Sequence, residues 1–88
     1  VVVAGHIVGE GWDRRSLDLP AGQNALIAAV AAANPNTVVI VENSYPTTLG
    51  ALQQEVPAVL WTSHAGQETG NAVACNPRAS AQRSQVRI

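Results

Sequence analysis

The residue in this sequence best suited to acid/base chemistry is Glu10, a carboxylate that lies between Gly9 and Gly11 and shortly before Trp12. The glycines give the backbone conformational freedom, and an apolar indole beside a carboxyl group can raise its pKa. A carboxyl group with a raised pKa can act as a general acid, and the indole ring can stack on a sugar. The same pattern is also compatible with a simple exposed loop glutamate.

Histidine and serine residues do not form a recognisable hydrolase triad. The sequence contains no G-x-S-x-G nucleophile elbow, and Ser63 and His64 are only neighbours in sequence, which does not establish a catalytic pair. His6 and His64 are therefore predicted to be polar loop residues that make local hydrogen bonds.

Nucleotide and metal chemistry are both disfavoured. Gly9 and Gly11 lack the third glycine of a dinucleotide-binding loop, and the chain has no lysine for a phosphate-binding loop. Cys75 is the single cysteine, which excludes an intrachain disulfide, and no Cys/His cluster has the spacing of zinc ligands. We therefore predict no cofactor and no metal.

Two further charged sites are predicted to be structural. Asp13 and Arg14 are adjacent, so they can cap the following turn or pair across the loop. Glu68 lies near the start of a predicted helix, where a carboxylate interacts favourably with the helix dipole.

The composition is that of one small folded domain. The chain has 88 residues, of which 47% are hydrophobic and 12% charged, with a net charge of -1, and this excludes disorder for most of its length. No run reaches the roughly 18 apolar residues of a membrane span, no basic segment of a signal peptide precedes Val1, and residues 1–74 carry no basic stripe. Neither nucleic acid nor a membrane is expected as a partner.

Apolar runs and turn residues predict three strands that alternate with three helices. Strands are predicted at residues 1–4, 37–41 and 58–61, and the first two lack polar alternation, so they should be buried on both faces. The helices are predicted at residues 23–33, with Pro20 at the first helical position, around residues 48–54, and at residues 67–74. This order predicts an α/β fold with a parallel sheet and helices on both faces.

The polar residues that follow these strands should meet at one edge of the sheet. In an open parallel sheet, ligands bind outside the carboxyl ends of the strands. Residues 5–6, 42–45 and 62–64 occupy these positions.

Both ends of the chain differ from the rest. The sequence has no Met and begins inside a predicted strand, so we expect a fragment whose preceding residues are missing. Residues 75–88 contain three of the five arginines, no acidic residue and no helix or strand periodicity, and are predicted to form a disordered basic tail. The predicted domain therefore covers residues 1–74.

Five sequence blocks, in order and at matching spacing, resemble the C-terminal α/β sandwich domain of glycoside hydrolase family 3, which includes β-glucosidases and β-xylosidases. The blocks are Glu10-Gly11-Trp12-Asp13-Arg14, Leu17-x-Leu19-Pro20-x-x-Gln23, Ala32-Ala33-Asn34-Pro35-Asn36-Thr37-Val38-Val39, Val56-Pro57-Ala58-Val59-Leu60-Trp61 and Gly66-Gln67-Glu68-x-Gly70-Asn71-Ala72. The resemblance implies a three-layer α/β/α sandwich, incomplete in this chain.

The resemblance also implies part of a retaining β-glycosidase, which hydrolyses O-glycosyl bonds with a nucleophilic aspartate and an acid/base glutamate. The aspartate belongs to a (β/α) barrel outside this chain, so we expect the chain to meet its saccharide beside that barrel and to be inactive alone. Glu10 is the candidate acid/base, and Trp12 and His64 are candidate substrate contacts. The other motif residues are expected to be structural: Asp13, Arg14, Gln23, Gly66, Gln67, Glu68 and Gly70.

Two features depart from the family pattern. Residue 65 is alanine where the family often has proline, and from Cys75 onwards the chain does not follow the helix that the family would continue. The alternative function is a noncatalytic carbohydrate-binding or interaction module. The resemblance is compatible with a secreted or periplasmic location.

Overall fold

The computed structural model describes residues 1–50 and 52–79, with side chains described as far as Cys75. Three parallel strands form the centre of the fold: β1 (Val2–Gly5), β2 (Val38–Glu42) and β3 (Ala58–Thr62). They lie side by side in the order β1-β2-β3. The predicted α/β class and parallel sheet are confirmed.

Helices connect successive strands. Helix α1 (Ala21–Ala33) joins β1 to β2, and the short helix α2 (Leu52–Glu55) precedes β3. Pro20 is the residue before the first turn of α1, with ψ at 137°, and so lies one position earlier than predicted. The helix ends at Ala33 because Asn34, the residue before Pro35, adopts an extended conformation.

The core lies between one face of the sheet and helices α1 and α2. Right-handed connections between adjacent strands in sequence order place both helices on the same face. The buried core residues come from all of these elements and their connections: Val2, Ala4, Leu19, Ile27, Val39, Val41, Leu52 and Val56. The central strand β2 is buried on both faces, as predicted, since Val39, Ile40 and Val41 are at most 1% exposed.

Strand β1 is covered on one face only, which corrects the prediction that it is buried on both. Val2 and Ala4 are buried, but Val3, which points to the opposite face, is 61% exposed. The physical reason is that β1 is an edge strand of the described sheet, and α1 and α2 both pack against the face that carries Val2 and Ala4.

A short 3-10 turn, Gly66–Glu68, leads into helix α3 (Thr69–Ala79). The helix continues past residue 74, so residues 75–79 are helical and do not belong to the predicted disordered tail, and residues 80–88 of that tail lie outside the described residues. The described side chains of α3 are mostly exposed. Among the described helices, none has the length and apolar character needed to cross a membrane.

Candidate active site

The carboxyl ends of the three strands lie in register at one edge of the sheet. Gly5 of β1 pairs with Glu42 of β2, which in turn pairs with Thr62 of β3. The backbone N–H of Asn43 donates to the carbonyl of Thr62 over 2.9 Å, which extends the pairing by one residue. The predicted polar edge is therefore a real feature of the sheet, and we call it the carboxyl edge.

Helix α1 is fixed to the carboxyl edge through the amide side chain of Gln23. Its Nε2 donates to the carbonyl oxygen of Gly5 over 2.7 Å, and its Oε1 accepts from the backbone N–H of Gly5 over 2.9 Å. One side chain thus satisfies both backbone groups of the last residue of β1. A side chain does not fit at Gly5, because a Cβ atom there would overlap with the carbonyl oxygen of Glu42.

Residues 6–20, here called the Glu10 loop, run along the carboxyl edge between β1 and α1. The backbone N–H of Trp12 donates to the carbonyl of Gly9 over 3.3 Å, and Gly11 has a φ of 78°, which closes a tight turn around Glu10. Glu10 is exposed and Trp12 is 81% exposed. The burial against Trp12 that the sequence suggested for Glu10 is therefore not present in this domain.

Arg14 organises the second half of the Glu10 loop. Its Nε donates to the carbonyl of Ser16 over 3.1 Å, and its Nη2 donates to the carbonyl of Asp18 over 3.2 Å. Its guanidinium carbon lies 5.6 Å from the centre of the Tyr45 ring, within the range of a cation–π contact. Arg14 acts through backbone carbonyls and an aromatic ring, and within the described residues it forms no ion pair with Asp13.

Asp18 ties the Glu10 loop to the connection between β2 and α2. Its carboxylate accepts hydrogen bonds from the hydroxyls of Ser16 and Thr48, and these bonds, the one from Thr48 first, lower the pKa of Asp18. The backbone N–H of Thr48 also donates to the carbonyl of Leu17 over 3.0 Å. The two connections are therefore joined by both side-chain and backbone hydrogen bonds.

His6 follows β1 as a loop residue, but it is buried and makes no side-chain hydrogen bond within the described residues, which corrects the prediction of a local hydrogen bond. It is 8% exposed, and its ring centre lies 6.4 Å from that of Tyr45. Its Nε2 and the Oδ1 of Asn43 are buried without hydrogen-bond partners in the described part of the chain. Burial, and secondarily the positive charge of Arg14, lower the pKa of His6, so the neutral imidazole is favoured.

Two open cavities lie along the carboxyl edge. A cleft of about 700 Å³ is lined largely by the Glu10 loop and includes Trp12, Asp13, Arg14, Gln23 and Tyr45. A smaller cavity of about 340 Å³ lies next to it and is lined by Val3, Ala4, Gly5, His6, Ile7, Glu42 and His64. His6 contributes to both, so it marks the boundary between them.

His64 lies beside the smaller cavity, where its Nδ1 is 3.3 Å from Oε1 of Glu42. Both side chains are partly exposed, at 42% for His64 and 30% for Glu42. His64 therefore makes a hydrogen bond, but not the predicted local one, because Glu42 lies 22 residues away at the end of β2.

The residues of the Gly66-Gln67-Glu68-x-Gly70 block form the start of α3 and do not line either cavity. Gly66 has a φ of 63°, and its carbonyl accepts a hydrogen bond from the Thr69 hydroxyl over 2.8 Å. The carboxylate of Glu68 accepts from Nδ2 of Asn71 over 2.7 Å. These contacts agree with a structural role at a helix start.

The structure brings Trp12, Asp13, Arg14 and Gln23 to one cleft and His64 to its neighbour, whereas Glu10 is not a lining residue of either. Tyr45 and Glu42 were not predicted as site residues, although both belong to the polar segment that was predicted to follow β2. The described residues include no group of three His, Cys, Asp or Glu side chains able to hold a metal ion.

Comparison with known proteins gives a consistent set of matches. Residues 1–75 match the family model described as "Glycosyl hydrolase family 3 C-terminal domain". The chain is 45% identical over 74 residues to probable beta-glucosidase L of Aspergillus terreus. This alignment covers 80% of this chain and 10% of that protein. It is 42% identical over 65 residues to the beta-glucosidase of Kluyveromyces marxianus, covering 74% of this chain and 8% of that protein.

A third relative, probable beta-glucosidase J of Aspergillus fumigatus, is 36% identical over 74 residues, covering 84% of this chain and 8% of that protein. The chain therefore matches a tenth or less of the length of these relatives. No solved structure matches it significantly.

Proposed function

The chain belongs to the family of glycosyl hydrolase family 3 C-terminal domains, and on this basis we propose that it forms part of a retaining β-glycosidase of the β-glucosidase type. In this proposal the carboxyl edge faces a (β/α) barrel, and the Glu10 loop shapes the sugar site between the two domains. The observation that carries the proposal is the family match over residues 1–75, which includes the whole Glu10 loop.

Glu10 is proposed as the general acid/base of a two-step reaction. In the first step an aspartate of the barrel attacks the anomeric carbon while Glu10 gives its proton to the leaving oxygen; in the second step Glu10 takes a proton from the water that releases the sugar. An exposed carboxylate at the turn of a loop, as Glu10 is here, is free to enter a site formed with another domain. Packing against that domain would also supply the desolvation that a general acid needs.

Trp12 and His64 are proposed as substrate contacts on either side of this site. The exposed indole of Trp12 offers a flat apolar face for a sugar ring. His64 and its partner Glu42 offer hydrogen-bonding groups beside the smaller cavity, where sugar hydroxyls can bind.

The test places Glu10 in a complete enzyme. The matched segment of the Kluyveromyces marxianus beta-glucosidase is replaced by this chain, and Glu10→Gln is introduced into the resulting chimera. We expect kcat/KM for glucosides with poor leaving groups to fall by roughly 10²–10⁴-fold, because these need protonation in the transition state. We expect a much smaller loss for 2,4-dinitrophenyl glucoside, whose leaving group departs as a stable anion.

Glu55→Gln is the matched control for this substitution. Glu55 is an exposed carboxylate at the end of α2, close to the opposite end of the sheet from the carboxyl edge, so activity should be unchanged. A Glu10→Gln chimera with the leaving-group dependence of the unmodified chimera would remove Glu10 from the mechanism.

The isolated 88-residue chain tests whether hydrolysis requires the barrel. We expect it to release no p-nitrophenol from aryl β-glucosides, because the nucleophilic aspartate is proposed to lie elsewhere. Turnover by the isolated chain that Glu10→Gln abolishes would contradict this expectation.

The second candidate function is a noncatalytic carbohydrate-binding module, which the high exposure of Trp12 beside the larger cleft favours. Calorimetric titration of the isolated chain with glucose and cellobiose distinguishes the two functions. Tight binding that Trp12→Ala abolishes, together with an inactive chimera, would favour the binding module.

A further inference from the structure

The segment around Glu10 has few contacts of its own. Within the described residues, the only hydrogen bond made by residues 7–13 is the one from the backbone N–H of Trp12 to the carbonyl of Gly9, at 3.3 Å. The position of Glu10 must therefore be set largely by the residues that hold the two ends of this segment, which are His6 and Arg14.

Both of these residues lie against the same side chain, Tyr45. The guanidinium carbon of Arg14 is 5.6 Å from the centre of the Tyr45 ring, and the His6 ring centre is 6.4 Å from it, with the two rings inclined by 31°. Tyr45 is half-buried on the connection between β2 and α2, a different part of the chain from the Glu10 loop. Tyr45 thus lies close to both ends of the segment carrying Glu10.

The contact with Arg14 involves a guanidinium that also makes hydrogen bonds. Arg14 donates from Nε and Nη2 to the carbonyls of Ser16 and Asp18, so its planar guanidinium is held by two hydrogen bonds, and its central carbon lies over the Tyr45 ring. The Tyr45 ring therefore adds a third contact to Arg14, the residue that holds the chain shortly after Glu10.

We propose that Tyr45 is a positioning residue for Glu10: its ring holds His6 and Arg14 and thereby fixes the segment between them. The proposal rests on the proposed function only in taking Glu10 as the acid/base. The loop ordering itself is independent of that role and can be measured on the isolated chain.

The first experiment compares Tyr45→Leu with Tyr45→Phe in the 88-residue chain by backbone ¹⁵N relaxation. Leucine keeps an apolar side chain but removes the ring face, whereas phenylalanine keeps the ring. We expect lower order parameters at Glu10 and Gly11 in Tyr45→Leu, unchanged values in Tyr45→Phe, and unchanged values at Val39 of the central strand in both. Unaltered order at Glu10 in Tyr45→Leu, or equal losses in the two variants, overturns the proposal.

A second variant covers the case in which Tyr45→Leu does not fold. Arg14→Lys keeps the positive charge but removes the planar group that lies over the ring. We expect it to lower the backbone order parameters of Glu10 and Gly11 in the same way. Unchanged order parameters at these two residues would count against the proposal.

The second experiment uses the chimera and separates positioning from general structural damage. We expect Tyr45→Leu to lower kcat for glucosides with poor leaving groups by roughly tenfold to a hundredfold, since small misplacements of a catalytic group have effects of this size. By contrast, kcat/KM for 2,4-dinitrophenyl glucoside should change little, because its leaving group needs no proton from Glu10. KM for glucosides with poor leaving groups should also change little, and Tyr45→Phe should restore the rate.

A double-mutant cycle completes the test. If Tyr45 acts through Glu10, then Tyr45→Leu adds no further loss to a Glu10→Gln chimera, whereas independent damage would add in full. Additive losses overturn the proposal. A Glu10→Gln chimera that keeps full activity refutes the proposed acid/base role of Glu10 instead, and the relaxation measurements still decide whether Tyr45 orders the loop.

Discussion

Gly5 shows how one residue determines the geometry of the carboxyl edge. The backbone of β1 passes so close to the carbonyl oxygen of Glu42 that a Cβ atom at Gly5 would overlap with it. Gly5 does not have a positive φ, so the requirement for glycine here is steric and not conformational. Both backbone groups of Gly5 are also bonded to the amide of Gln23.

We expect Gly5→Ala to lower the free energy of unfolding by about 1–3 kcal/mol, because the added methyl group forces the two strands apart. Gly22→Ala is the control, since a Cβ atom there meets no other atom within 4 Å, and we expect it to be neutral or to stabilise α1 by up to about 1 kcal/mol. Urea unfolding followed by circular dichroism measures both. Equal stability of the two variants would contradict the steric explanation.

At the scale of elements, the sheet and α1 are joined at the carboxyl edge by polar contacts and at the core by apolar ones. Ile27 of α1 is fully buried against the sheet, whereas Gln23, one turn earlier, makes the two hydrogen bonds to Gly5. The same helix therefore carries both the packing and the bonds that fix where the Glu10 loop begins. The family resemblance assigned Gln23 a structural role, and the hydrogen bonds to Gly5 give that role a physical basis.

We expect Gln23→Met to lower the free energy of unfolding by about 1–3 kcal/mol, because methionine fills a similar volume but leaves the N–H and carbonyl of Gly5 without partners. Hydrogen exchange at the Gly5 amide should also become faster. Asn24→Met, on an exposed position of the same helix, should change neither quantity. Protection of the Gly5 amide that survives in Gln23→Met would show that the contact does not fix the end of β1.

At the scale of the whole molecule, the described chain has one well-covered sheet face and a carboxyl edge bordered by open cavities. Helices α1 and α2 cover the face of Val2, Val39 and Val41, while Val3 remains 61% exposed on the opposite side. The small core makes the free energy of unfolding sensitive to single buried polar groups such as His6. The buried ring of His6 therefore links the stability of the whole domain to pH.

The pKa of His6 is lowered in the folded domain by burial and then by Arg14, so the unfolded chain binds the proton more readily than the folded one. The contribution of neutral His6 to the free energy of unfolding is fully present above the ordinary pKa of 6.5. It is lost as the pH falls below that value. We expect the free energy of unfolding to decrease more between pH 8 and about pH 5.5 in the unmodified chain than in His6→Phe. If the free energy of unfolding depended on pH in the same way in both proteins, His6 would be excluded as the source of that dependence.

The sequence alone was sufficient for those features that depend on neighbouring residues. Uninterrupted apolar runs predicted all three strands, Asn34-Pro35 predicted the end of α1, and the order of the elements predicted a parallel sheet with its polar residues at one edge. The motif blocks predicted the family, which the match over residues 1–75 confirms. Each of these features follows from local periodicity, backbone preference or the order of short segments.

Only the tertiary structure decided which face of β1 is covered, that His6 is buried, and that Tyr45 lies close to both His6 and Arg14. Successive side chains of a strand point to opposite faces of the sheet, but the sequence of the strand does not say on which face the helices pack. The exposure of Val3 could therefore not be predicted from its run of valines. In the same way, the contact between Tyr45 and Arg14 joins two connections that are separated by helix α1 and strand β2. Such contacts depend on how segments that are far apart in the sequence pack together, and the spacing of residues within either segment does not determine that packing.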